Sequence, residues 1–204
     1  MIDILKKHKT KSIEAKKIIE IDFPVFDEKF KEFIKTENGG YYFVNSFHLF
    51  GFSNELPFHS LKAMNNFVKD LYGDLTKNVF FIGEDVFGNL FCYDEKNKFS
   101  MFNIESGEFE DIATGFDNFI SKLIKDVDYF TGCKFAEELD GKDNELLNFG
   151  YRYCAKYPFV LGGEYDVNNL TIKLFKENLQ FCASIYHQIK DLPDGAEYEI
   201  KIEN

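Results

Sequence analysis

No part of this chain stays apolar for long: its longest runs, such as Val79 to Ile82, fall far short of the roughly 20 residues that a membrane-spanning helix requires. The opening residues Met1-Ile2-Asp3-Ile4-Leu5-Lys6-Lys7-His8-Lys9 contain an early acid and no apolar h-region, so a secretory leader is not expected and a cytoplasmic location is. Cysteine and histidine are both scarce, with four of each in 204 residues. Cys92, Cys133, Cys154 and Cys182 form no CxxC pair and sit among apolar neighbours, which predicts buried thiols in place of a disulfide framework or zinc site. His8, His48, His59 and His187 fall in neither HxxxH nor HExxH spacing. The GxSxG elbow, the GxxxxGK[ST] loop and the GxGxxG turn are missing too, so neither an activated serine nor a phosphate cradle is expected. The sequence thus predicts no catalytic residue, no cofactor and no metal.

Positive charge is also in deficit. Lys plus Arg total 24 against 35 Asp plus Glu, a formal net charge of −11. Such a chain repels nucleic acid and attracts basic partners. What it has in plenty is apolar and aromatic surface, 45% and 18% of residues, with 25 Phe, so it folds around a large core.

Periodicity predicts the elements. A short helix is expected at residues 12–20, broken at Phe23-Pro24, and a second from Asp27 carrying Phe30, Phe33 and Ile34 and closed by Asn38-Gly39-Gly40. Tyr41 to Val44 reads as a strand, residues 45–56 as loop, and a helix from about Pro57 presents Leu61, Met64, Phe67, Val68 and Leu71 on one face. Four apolar runs between Val79 and Ala113, separated by hairpin-sized connections rich in Gly, Asn and Asp, predict an antiparallel meander. Phe116, Phe119, Ile120, Leu123, Ile124 and Val127 recur at helical spacing, with Thr114 and Asp117 at capping distance. Helices at 128–139 and 144–154, a strand at 170–174, a helix through Leu179 to Ile189 and a strand through Tyr198, Ile200 and Ile202 complete an α+β chain ending in a βαβ unit.

Few residues compete for chemistry. Cys133 has no motif beyond an adjacent lysine, and adjacent acids such as Glu137-Glu138 are expected by chance in so acidic a chain. Glycines in Leu161-Gly162-Gly163-Glu164 and around Gly83 and Gly88 suit turns.

The order of several short motifs is more specific. Phe23-Pro24, the Phe30 to Ile34 helix ending in Asn38-Gly39-Gly40, His48-Leu49-Phe50-Gly51, Phe81-Ile82-Gly83-Glu84-Asp85-Val86-Phe87-Gly88-Asn89-Leu90-Phe91-Cys92-Tyr93-Asp94 and Ile112-Ala113-Thr114-Gly115-Phe116-Asp117-Asn118-Phe119-Ile120 together resemble the SUKH superfamily. That superfamily includes bacterial immunity proteins of polymorphic toxin systems and yeast cell-wall regulators of the Smi/Knr type. The resemblance implies a meander sheet flanked by helices over residues 1–127, with 128–204 an extension packed on it. It also implies a non-enzymatic protein that binds and neutralises a toxin, often a nuclease or other nucleic-acid-acting toxin, or alternatively an intracellular regulatory scaffold or adaptor. Asn89 stands where many relatives carry Asp, and no catalytic residue carries over. The net charge adds that the toxin is basic. Acids in connections and at sheet edges, Glu84, Asp85, Asp94, Glu95, Glu105, Glu108, Glu110 and Asp111, are the candidate partner-binding residues.

Overall fold

The computed structural model describes residues 2–11, 13, 27–143, 147–193 and 199. Most of the expected helix at 12–20, the Phe23-Pro24 break, residues 144–146 and the final strand through Tyr198, Ile200 and Ile202 lie outside them. In chain order the elements are α1 (Ile2–Lys7), β1 (Lys9–Lys11), α2 (Glu28–Glu37), β2 (Gly40–Tyr42), β3 (Phe47–Leu49), α3 (Leu61–Tyr72), β4 (Val79–Glu84), β5 (Leu90–Asp94), β6 (Lys98–Phe102), β7 (Phe109–Thr114), α4 (Phe116–Lys125), α5 (Val127–Thr131), α6 (Cys133–Asp143), β8 (Tyr151–Ala155), β9 (Leu170–Leu174) and α7 (Phe175–Ile189).

Strands β1 to β7 form one antiparallel sheet in sequence order. The expected four-stranded meander is its second half. The expected loop at 45–56 instead contributes β3, the link between β2 and β4. The hairpin joining β2 to β3 carries three consecutive left-handed residues that are not glycine, Phe43, Val44 and Asn45. That strained turn is held from outside: Phe43 N–H donates to the His8 carbonyl, Asn45 N–H to Thr10 Oγ1, and Asn45 Nδ2 to the Leu147 carbonyl.

Helices cover both faces of the sheet. On one face α4 inserts Phe119 among Phe47, Phe91, Phe99 and Phe116. On the other, Tyr72 of α3 meets Phe102 edge-on and lies 5.5 Å from Tyr186 of α7. The caps follow local chemistry: the Asp27 carboxylate accepts from Phe30 N–H and also from Phe116 N–H, so one side chain ties the starts of α2 and α4. Ser60 caps α3, three residues after the start expected at Pro57. The N-cap of α4 is Gly115, one residue after the expected Thr114.

The chain beyond α4 departs further from its periodicity. Residues 128–139 divide at Gly132 into α5 and α6, because Gly132 adopts the left-handed conformation that ends α5. Residues 151–155, expected as helix, form β8 and pair antiparallel with β9. Gly150, with φ of +79°, separates this strand from the preceding residues. The extension docks on the sheet through specific bonds: Gly150 N–H donates to Tyr41 Oη, Tyr153 N–H to the Val86 carbonyl, and Asn178 Nδ2 to the Phe87 carbonyl.

Candidate functional site

The eight expected partner-binding acids separate into two groups. Glu84, Asp85 and Glu105 are buried, at 0%, 4% and 7% exposure, and so present no carboxylate to a partner. Acids in connections and at sheet edges are expected to face solvent, but each of these three finds internal donors or cations that offset its desolvation. Glu105 accepts from Val160 N–H at 2.8 Å, fastening the extension to the β6–β7 hairpin. Asp85 accepts from Phe87 N–H, Asn89 N–H and Asn89 Nδ2, all at 2.8 Å, and so shapes the β4–β5 turn.

The other five lie at or near the surface. Asp94 is half-buried and closes the β5–β6 turn by accepting from Lys96 and Lys98 N–H, while Glu95 is exposed. Glu108, just before β7, and Glu110 and Asp111 within it are exposed. Tyr129 Oη donates to Glu110 at 2.9–3.0 Å, and Asp111 pairs with Lys98 at 2.6 Å. Lys98 thereby holds the Asp111 carboxyl below the usual carboxylate range.

Glu84 belongs to a buried network that no sequence pattern announces. Register pairs Tyr41 with His48 and His48 with Glu84, placing all three on one face of the sheet. Arg152 of β8, completely buried, brings Nη2 to 2.6 Å from Glu84 Oε1 and lies over the Tyr41 ring. The Tyr41 ring is sandwiched between His48 and Phe149, at centroid distances of 4.0 and 4.4 Å. His48 Nδ1 is 3.0 Å from Glu84 Oε1, His48 Nε2 is 2.9 Å from His59 Nδ1, and His59 Nε2 is 2.8 Å from the Asn38 carbonyl. Gly51 permits the last contact, because a Cβ there would collide with the Asn38 carbonyl and His59 Nε2.

Proton placement follows from the end of this chain. A carbonyl only accepts, so His59 carries its proton on Nε2 and accepts at Nδ1 from His48 Nε2–H. His48 Nδ1 then shares a single proton with Glu84. Burial and the Arg152 cation both hold His48 well below its ordinary value, whereas burial raises Glu84 against the opposing pull of Arg152. Asp85 supplies a second buried carboxyl acting on Arg152. The set has the residue types of an acid–base relay, but His48, His59 and Glu84 are all 0% exposed, so in this conformation it joins elements and meets no solvent-borne substrate.

Two of these groups make opposite contributions to pH stability. Burial, with His48 alongside, lowers His59 to about 3, and burial pushes Asp85 up to about 7 despite its three donors. Between the ordinary Asp value of 3.8 and the ordinary His value of 6.5, the unfolded chain has His59 protonated and Asp85 ionised, while the folded chain has both neutral. The proton numbers match and the two effects cancel. Asp85→Asn removes the carboxylate side. His59 alone then contributes stability that is present above pH 6.5 and is lost as the pH falls, at up to about 1.4 kcal/mol per pH unit. Denaturant midpoints of the variant should therefore fall below those of the parent increasingly from about pH 6.5 to 4; parallel curves would refute the pairing.

Cys92, Cys154 and Cys182 are buried and Cys133 is half-buried, all as free thiols. Burial raises the Cys133 thiol, and Glu137 adds to that, which is the reverse of nucleophile activation. Among the described residues no group of three or more His, Cys, Asp and Glu could hold a metal, and no helix is long and apolar enough to cross a membrane.

The family model described as SMI1 / KNR4 family (SUKH-1) matches residues 14–122, just over half of the chain. No curated protein matches the chain. Among solved structures, the crystal structure of Atu4351 from Agrobacterium tumefaciens is similar in fold, with a TM-score of 0.54 and 17% identity over 76% of this chain and 74% of that one.

Proposed function

Because the chain belongs to the SMI1/KNR4 (SUKH-1) family, we propose that it is a non-enzymatic immunity protein, which binds a cognate protein toxin in the cytosol and blocks it. The family match carries this reading. The net charge of −11 supports a basic toxin, one that acts on nucleic acid and so carries a cationic surface of its own. The sealed His48, His59 and Glu84 set supports a binding role over turnover, since none of the three can touch a substrate where it stands.

Co-expression with toxic reading frames encoded beside this gene tests the proposal. The cognate frame should stop growth alone and permit growth with this chain, and the two proteins should co-purify as a complex whose association rate falls steeply with salt. If no neighbouring frame is rescued and the chain instead purifies with endogenous proteins, the reading is wrong and a regulatory adaptor takes its place.

A further inference from the structure

Strand β7 ends the seven-stranded sheet, and among the described residues nothing pairs with its outer edge. The preceding hairpin shows which backbone groups point outward. Asn103 N–H donates to the Glu108 carbonyl at 2.9 Å. In an antiparallel ladder the bonded pairs alternate, so Glu108 and Glu110 direct their backbone groups to β6, and Phe109 and Asp111 direct theirs to the open side. Beyond Asp111 the edge closes: the ladder is irregular at Ile112, and Lys122 Nζ donates to the Ile112 carbonyl at 2.5 Å. The open stretch runs from Glu108 to Asp111, and all four residues are exposed.

Each face of this stretch offers an aromatic contact. Phe109, 36% exposed, shares the face of Phe102 at a centroid distance of 4.8 Å. Tyr129, 59% exposed, leans over the opposite face, bonded to Glu110. An open edge with apolar flanks invites a further strand. Its charge decides which kind. Antiparallel pairing with a second copy would oppose Glu108, Glu110 and Asp111 to the same acids, and like charges across a ladder are destabilising. A cationic strand meets only attraction.

We propose that the β7 edge from Glu108 to Asp111 receives an extended segment of the protein partner bearing lysine or arginine, as an eighth strand. This deepens the immunity reading by naming the surface, and rests on it only for the partner's being a toxin.

The test uses isotope-labelled full-length chain and two short synthetic peptides, one alternating lysine with valine and one alternating glutamate with valine, at low ionic strength. The lysine peptide should slow hydrogen exchange of the Phe109 and Asp111 amides by about tenfold or more, and the glutamate peptide should leave it unchanged. The exposed double variant Glu108→Lys, Glu110→Lys should keep the parent's thermal midpoint and lose this protection. Shifts spread over the acidic surface without protection at Phe109 and Asp111, protection centred on β1 or β9, or protection that survives charge reversal would each overturn the proposal. The outcome is independent of the toxin: a chain that rescues no neighbour can still show a protected edge, and rescue by a chain whose edge stays unprotected removes the edge and keeps the immunity reading.

Discussion

Arg152→Ala should lower the folding stability by about 3–5 kcal/mol, the range for breaking a buried charge pair by deleting one member. Arg152 is completely buried, 2.6 Å from Glu84 Oε1 and over the Tyr41 ring, and its Nη1 donates to the Tyr151 carbonyl at 2.8 Å. Alanine removes the cation from beside Glu84 and Asp85 and leaves the buried space it filled beside Tyr41 empty. For a chain of this length the loss corresponds to roughly 6–20 °C in thermal midpoint.

A paired variant separates charge from volume. Arg152→Met with Glu84→Gln fills most of the space and removes both members of the closest ion pair, so it should recover the larger part of the loss, whereas Arg152→Met alone should not. Guanidinium titrations followed by circular dichroism would measure all three. An Arg152→Ala cost below about 1 kcal/mol would show that the pair contributes little to stability. Because Arg152 belongs to the extension and Glu84 to the sheet, a second, earlier transition in Arg152→Ala is the expected sign that their docking has weakened.

Phe119→Ala should cost a similar amount, about 3–5 kcal/mol, through a different mechanism. Its ring is completely buried and lies 5.1 to 6.5 Å from the rings of Phe47, Phe91, Phe99 and Phe116, which come from β3, β5, β6 and α4 itself. Three aromatic neighbours fixed on the sheet and one on the same helix cannot collapse into the space, so both transfer and cavity contributions apply. Tyr129→Ala makes the contrast: that ring is 59% exposed, and its loss should change stability by about 0.5 kcal/mol or less. Equal effects of the two changes would mean that the α4 seam is not where the core is concentrated.

The two expectations differ in how far they can be read from residue order. Phe119 is visible at once, since Phe116, Phe119, Ile120 and Leu123 recur at the helical period and all four are buried. The hairpins of β4 to β7 are equally legible, because each pairs runs only a few residues apart through a turn of the right chemistry. Asn38 and Asp27 at the ends of α2 belong with them, as capping is a matter of neighbours. The lack of nucleophile, metal and phosphate motifs is also a property of local spacing.

What only the tertiary structure decided lies at longer range. His48 and Glu84 are 36 residues apart, and Asn45 reaches Leu147 across 102. Nothing in a local window marks His48 as the centre of a proton-sharing chain; neither its place between Phe47 and Leu49 in an apolar run nor the His48-Leu49-Phe50-Gly51 motif names its partners. Residues 151–155 show the same limit. They form a strand because β9 supplies their backbone partners and Arg152 finds Glu84, a context that helical periodicity does not contain. The acids make the point for function: a carboxylate in a turn reads as solvated, yet whether Glu84, Asp85 and Glu105 face water or the core depends on where a distant segment docks. Sequence by itself determined which segments could bury an apolar face; docking determined which charges remained outside for a partner to meet.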